Sequence, residues 1–158
     1  MKFSNFSFPI FLASTLATTT SGFQWNPCGL DSDIFQPLGV AISPDPPKSG
    51  EPANITIKGI LSEPIEDGSS VQITVKLGLI KIYNKNIDIC GDFLDGTGIS
   101  CPIPPGDLSI TKTYNLEFPP AKLTTHVEAY NADDADISCL DLKLEKAGRF
   151  DLRSNEES

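Results

Sequence analysis

The sequence predicts an all-β fold: an immunoglobulin-like antiparallel β-sandwich of about seven strands. Three observations lead there. Apolar residues recur at every second position in successive short runs, the period of a half-buried strand. Clusters of Pro, Gly, Asn, Asp and Ser punctuate those runs at short intervals. Beyond the N-terminal segment, no helical period competes with the alternation.

Residues 1–22 read as a secretory signal. Lys2 supplies a short positive region, Phe6 to Ala17 (FSFPIFLASTLA) is an apolar run too short to span a bilayer, and the small residues TTTSG follow. Pro9 and the Thr run oppose a buried helix. Cleavage is expected after Ala17 or near Gly22, with Gly22 preferred. Residues 23–146 then form one domain, long enough to bury a core, and residues 147–158 a polar tail.

In chain order, Trp25 to Asp33 is a leader carrying Cys28. Leu38, Val40 and Ile42 alternate as a first strand. SPDPPKSG at 43–50 is a rigid connection, because its prolines fix φ and remove donors. Ile55, Ile57 and Leu61 mark a second strand. Asn54-Ile55-Thr56 is a glycosylation sequon at its start, placing Asn54 on the surface. Glu63 to Ser70 is a turn.

Val71 to Gly106 is the stretch around which the rest is organised. Val71, Ile73, Val75, Leu77 and Leu79 share one parity, and Ile80 and Ile82 share the other. A one-residue slip at Gly78 predicts a bulge in one long bent strand. The run ends at Cys90, a Gly/Asp-rich loop and Cys101. Leu108, Ile110, Tyr114, Leu116 and Phe118 alternate next, with Lys112 the exception, and Pro119-Pro120 ends that strand. Leu123, Thr125, Val127 and Ala129 form one face of another. NADDAD at 131–136 is a solvated turn, and Leu140, Leu142 and Leu144 close the series. Trp25 lies upstream of the strands, so an antibody-type domain with a central buried Trp is not expected.

The formal charge is -9, and the signal holds one Lys and no acid, so its removal gives -10. Such an acidic chain is not built for nucleic acid. Its 4 Cys allow three pairings. Cys90 and Cys101 are natural local partners, and joining Cys28 to Cys139 closes a long loop. In the chain-entropy picture these are worth roughly 3 and roughly 4–5 kcal/mol.

A catalytic set is missing. His126, the 1 His, sits mid-strand with the outward parity of Thr124 and Glu128 and has no evident nucleophile. No CxxC accompanies it, so zinc is not expected. Asp133, Asp134 and Asp136 lack the spacing and closing Glu of a calcium loop. The glycines of 91–106 lack a Gly-Lys-Ser/Thr ending, so no phosphate-binding loop and no cofactor is expected. What remains is apolar surface at Leu77, Leu79, Ile80 and Ile82, which serves a dry core or a lipid. An acyl chain of about sixteen methylenes would gain roughly 12 kcal/mol gross on burial, less association costs of several kcal/mol.

Taken in order, Cys28, SPDPPKSG, VQITVKLGLIKIYNKNIDIC at 71–90, SCPIPPG at 100–106, the prolines at 119 and 120 and DADISCLDLKL at 134–144 resemble the ML-domain lipid-recognition family. The resemblance covers nearly the whole domain. Within the family it points to the fungal phosphatidylglycerol/phosphatidylinositol transfer proteins, and more distantly to Niemann-Pick C sterol-transfer proteins. It implies a seven-stranded sandwich with a lipid cavity and the pairings Cys28–Cys139 and Cys90–Cys101. The sterol relatives carry a third disulfide, for which this chain has no Cys between 28 and 90, so a phospholipid is the expected cargo and a sterol the alternative. Ile57, Val75, Leu77, Leu79, Ile80, Ile82, Leu116 and Val127 are the candidate lining. Tyr83, Phe118 and Pro120 are the candidate mouth, with Lys81, Lys85 or Lys122 near a phosphate. The expected protein is a monomeric carrier that touches membranes transiently, secreted or in a vacuolar or lysosomal lumen. A secreted sandwich presenting a surface to another protein is the competing class.

Overall fold

The computed structural model describes residues 22–117 and 121–145. The expected signal and the C-terminal tail lie outside the described residues, apart from Gly22, as do Phe118 and Pro120. Among the described residues, eight strands form two antiparallel sheets. They are β1 (Phe23–Pro27), β2 (Phe35–Ser43), β3 (Pro52–Leu61), β4 (Ser70–Leu77), β5 (Ile80–Asp88), β6 (Gly106–Asn115), β7 (Leu123–Tyr130) and β8 (Asp136–Leu144). The larger sheet runs β1-β8-β7-β4-β5 and the smaller β2-β3-β6. The eighth strand is β1, expected as part of a leader. Only Phe23 and Trp25 alternate there, too few to signal a strand, but pairing from Phe23↔Leu144 to Pro27↔Leu140 extends the sheet.

Two expectations about bends are corrected. Val71 to Asp88 is a hairpin, not one bent strand. Gly78, with φ +60°, occupies a left-handed position that Gly takes at little cost, and the chain reverses there. The bulge lies further along, where the register slips between Val75 and Lys76 and Ile82 becomes the extra residue. In β2 a second slip between Pro37 and Gly39 turns Leu38 outward, 68% exposed, while Val40 and Ile42 are buried. A short π-helical turn, Ile89–Phe93, follows β5, where an irregular loop was expected; the Asp88 carboxylate accepts from Gly91 N–H at its start.

The core is packed at one end. Ile34 and Phe35 before and at the start of β2, Leu61 at the end of β3, and Val71 at the start of β4 meet there. Ile65, Ile89, Leu94, Ile103 and Ile137 complete the cluster. A buried polar tie supports it. Asn131 Nδ2 donates to the Pro64 carbonyl at 3.1 Å, its Oδ1 accepts from Glu66 N–H at 3.1 Å, and the Ser69 hydroxyl lies 2.6 Å from that same Oδ1. This joins the turn before β4 to the turn after β7. Cys28–Cys139 and Cys90–Cys101 are both bonded, with Cα separations of 4.9 and 5.6 Å.

Along one side β2 lies close to β1 and β8. On the other side Ile80, Tyr83 and Lys85 of β5 face inward yet stay exposed, so the smaller sheet leaves the β5 edge uncovered.

Candidate functional site

Directly opposed residues of antiparallel strands share a face, so the registers define the interior. From the larger sheet it receives Val71, Ile73, Val75 and Leu77, with Val127 across from Ile73 and Leu140 beyond it. From β5 it receives Ile87, Lys85, Tyr83 and Ile80, the partners of those four β4 residues. From the smaller sheet it receives Ile55 and Ile57, paired with Lys112 and Ile110, and Tyr114, paired with Ala53. Val71 and Leu140 are buried, and Ile57, Ile73, Ile87, Ile110 and Val127 are half-buried against the core cluster. Toward the β4–β5 hairpin Val75, Leu77, Tyr114 and Leu116 are half-buried as well, outside that cluster. The interior is thus apolar apart from Lys85 and Lys112, and its packed cluster sits at one end.

The expected lining divides accordingly. Ile57, Val75, Leu77 and Val127 lie on the inner faces, and Leu116 continues the inward parity of β6 just past its end. Leu79, Ile80 and Ile82 are corrections. Leu79 is 100% exposed at the hairpin tip, Ile80 is 68% exposed, and the bulged Ile82 is 51% exposed. The physical reason is the hairpin: a reversal at Gly78 throws Leu79 into solvent, and no strand of the smaller sheet covers the far end of β5. These three form an apolar rim beside the opening. Tyr83, across from Val75, is 38% exposed on the inner side of the uncovered edge.

The three candidate lysines also separate. Lys122 is held by Glu145 at 2.9 Å. Lys81 is on the outer face, directly across from Lys76. Lys85 alone is on the inner face, with its Nζ 5.7 Å from the centre of the Tyr83 ring. The sequence reading missed Lys112 and Tyr114 as site residues. Lys112 Nζ crosses from β6 to the π-helical turn, donating to the carbonyls of Asp92 at 2.8 Å and Phe93 at 2.9 Å. Its signal was already visible as the one break in the β6 alternation. Burial raises the Tyr114 phenol pKa, and the nearby Tyr83 raises it further.

On the outer face, His126 Nδ1 pairs with Asp141 Oδ1 at 2.7 Å, and Nε2 lies 3.4 Å from Glu128. The Asp141 hydrogen bond is the largest cause raising the His126 pKa. The Cys28 sulfur 4.0 Å away is in a disulfide, which removes it both as nucleophile and as metal ligand. A cleft of about 170 Å³ nearby is rimmed by Asp33, Glu128 and Asp136. It is smaller than the roughly 300 Å³ of an ordinary ligand pocket and acidic, so it is not the apolar site. Asn54 is exposed, and its Oδ1 accepts from the Thr113 hydroxyl at 2.6 Å.

Fold and site together define a class: a disulfide-bridged β-sandwich whose apolar interior is filled at one end and open along one edge. The chain belongs to the ML domain family, whose model matches residues 22–145. A phosphatidylglycerol/phosphatidylinositol transfer protein of Cryptococcus neoformans is 39% identical over 127 residues, covering 78% of this chain and 71% of that one. Among solved structures, a Niemann-Pick type C2 protein from Japanese carpenter ant aligns with a TM-score of 0.59 at 19% identity, covering 76% of this chain and 96% of that one. Chicken MD-1 complexed with lipid IVa aligns with a TM-score of 0.61 at 17% identity, covering 78% and 88%. These two share the fold.

Proposed function

We propose that this protein is a lipid carrier that takes a phospholipid, phosphatidylglycerol or phosphatidylinositol, from one membrane and releases it at another. One observation carries the reading: inner faces that are apolar apart from Lys85 and Lys112 and only half-buried, or exposed, toward the uncovered β5 edge. Such a space gains stability when acyl chains replace water against Ile57, Val75, Leu77 and Val127. The curated relative named for phosphatidylglycerol/phosphatidylinositol transfer supports the cargo class.

Membrane contact belongs to the hairpin. Leu79, Ile80 and Ile82 are exposed apolar side chains beside the opening. Lys76 and Lys81 face one another next to them, a like-charge pair that opposes folding but suits an anionic lipid surface. Phe118 and Pro120 are proposed to share that rim. In this reading the protein works as a monomer, residues 1–22 direct it into the secretory route, and its two disulfides fit an extracellular or lumenal setting. Exposed Asn54 is the candidate glycan acceptor.

Fluorescent phosphatidylglycerol or phosphatidylinositol should move between liposomes when the protein is added, and an organic extract of the purified protein should contain phospholipid. Absence of both results sinks the carrier reading. Ergosterol that displaces phospholipid from the protein at equal concentration would make a sterol the cargo.

A further inference from the structure

We propose that the open β5–β6 seam holds a phosphate site. The ammonium groups of Lys85 and Lys112, with the phenols of Tyr83 and Tyr114, bind the phosphodiester of a lipid whose chains lie between the sheets. This rests on the carrier reading and adds where the charged end of the cargo sits.

Register places the four side chains. Lys85 is across from Ile73, and Lys112 is across from Ile55, so each lysine interrupts an apolar inner face. Tyr83 is one inward position from Lys85 toward the hairpin, and Tyr114 is one inward position from Lys112 toward the same end. The Tyr83 and Tyr114 phenols lie near enough for Tyr83 to raise the Tyr114 pKa, which brings the two Lys–Tyr pairs to the same part of the interior. Contacts tie the pairs: Lys85 Nζ is 5.7 Å from the Tyr83 ring centre, and Lys112 Nζ is 5.8 Å from that of Tyr114. The level lies four residues from the hairpin end of β4, about 13 Å at the rise of a strand. A headgroup there leaves sideways through the seam.

Charge points the same way. The chain carries 21 acids against 12 bases, yet among the described residues neither Lys85 nor Lys112 has a carboxylate within 4.0 Å. A half-buried cation such as Lys112 needs an anion or strong acceptors to answer it, whereas Lys85 is exposed and free to turn to a ligand. Lys112 spends two of its three donors on Asp92 and Phe93 and keeps one. Lys85 has a ring contact and keeps its donors. Two ammonium groups reaching from opposite walls fit one phosphate between them, and two phenol hydroxyls can complete its hydrogen bonds. Two positive charges also favour an anionic headgroup over one that brings a cation of its own.

The test compares uptake of two fluorescent lipids with the same chains, phosphatidylglycerol and diacylglycerol, from phosphatidylcholine vesicles. Lys85→Gln should reduce phosphatidylglycerol uptake about tenfold and leave diacylglycerol uptake and thermal stability unchanged. Lys112→Gln should show the same selectivity with a lowered Tm, because its bonds to Asp92 and Phe93 are also lost. Lys58→Gln, the same charge change on the outer face of β3, should behave as wild type. The site is overturned if Lys85→Gln takes up phosphatidylglycerol like wild type, or loses both lipids equally. It is also overturned if inorganic phosphate alone raises the wild-type Tm as much as phosphatidylglycerol vesicles do, since the site would then serve the free ion. Wild-type protein that takes up neither lipid overturns the carrier reading, and this site with it.

Discussion

Leu77 and Ile80 are directly paired across the β4–β5 hairpin and share a face, yet Leu77 is half-buried and Ile80 is 68% exposed. One position separates a wall from a rim. Ile80→Ser should therefore change stability by no more than about 0.5 kcal/mol, and Leu79→Ser should do likewise. Both should slow lipid exchange in the vesicle assay. A denaturant melt beside the transfer rate separates the two effects; equal rates for wild type and both variants would remove the hairpin from membrane contact.

The two ends of the interior should answer truncation differently. Leu61, 1% exposed in the packed cluster, should cost about 3 kcal/mol when changed to Ala. Leu77→Ala at the open end leaves a space already half accessible and should cost about 1 kcal/mol. Chemical denaturation of the lipid-free protein measures both. With lipid bound the Leu77→Ala penalty should grow, because the deleted methyl groups then face acyl chains.

Asn131→Ala should be among the more harmful polar substitutions. It frees the Pro64 carbonyl and the Glu66 N–H together, and leaves the hydroxyl of Ser69, a residue 0% exposed, with the Glu66 carbonyl as its remaining partner. Leaving such groups without partners costs about 2–3 kcal/mol. A thermal melt should show the loss, and Asn131→Asp should not rescue it, because a carboxylate cannot donate to Pro64.

His126 makes stability depend on pH. Its folded pKa is raised above 6.5, chiefly by the hydrogen bond to Asp141 and further by Glu128, against a smaller opposing effect of burial. The folded state thus binds the proton more tightly than the unfolded state. The contribution is full below the unfolded value of about 6.5 and is lost as pH rises through the folded one. Exposure of all three side chains keeps it small. His126→Gln should flatten the rise in stability seen on going from pH 8 toward pH 6, measured by urea melts at fixed ionic strength.

Most of the fold is legible in the sequence because its strands alternate cleanly where one face is buried, as at Val71 to Val75 and Leu123 to Ala129. The hairpin was harder to read. A Gly between two apolar parities reads equally as a bulge or a reversal, and only the pairing of Leu77 with Ile80 distinguishes them. β1 was missed for a related reason: its strand character comes from β8, far along the chain. Parity alone put Val75, Leu77 and Val127 on an inner face. Lys112 was harder to read, since a charge inside an apolar alternation looks like an error of register until the π-helical turn supplies the Asp92 and Phe93 carbonyls.

The half-filled interior has a calorimetric consequence. Water already touches apolar side chains such as Ile57 and Val75 in the folded, empty protein. Unfolding therefore hydrates less new apolar surface than it would in a sandwich packed throughout. The heat-capacity increment of the delipidated protein should fall below the usual value of about 12–15 cal/mol/K per residue. Loading with lipid should bring it back up, so the curvature of the stability curve becomes a gauge of how full the sandwich is.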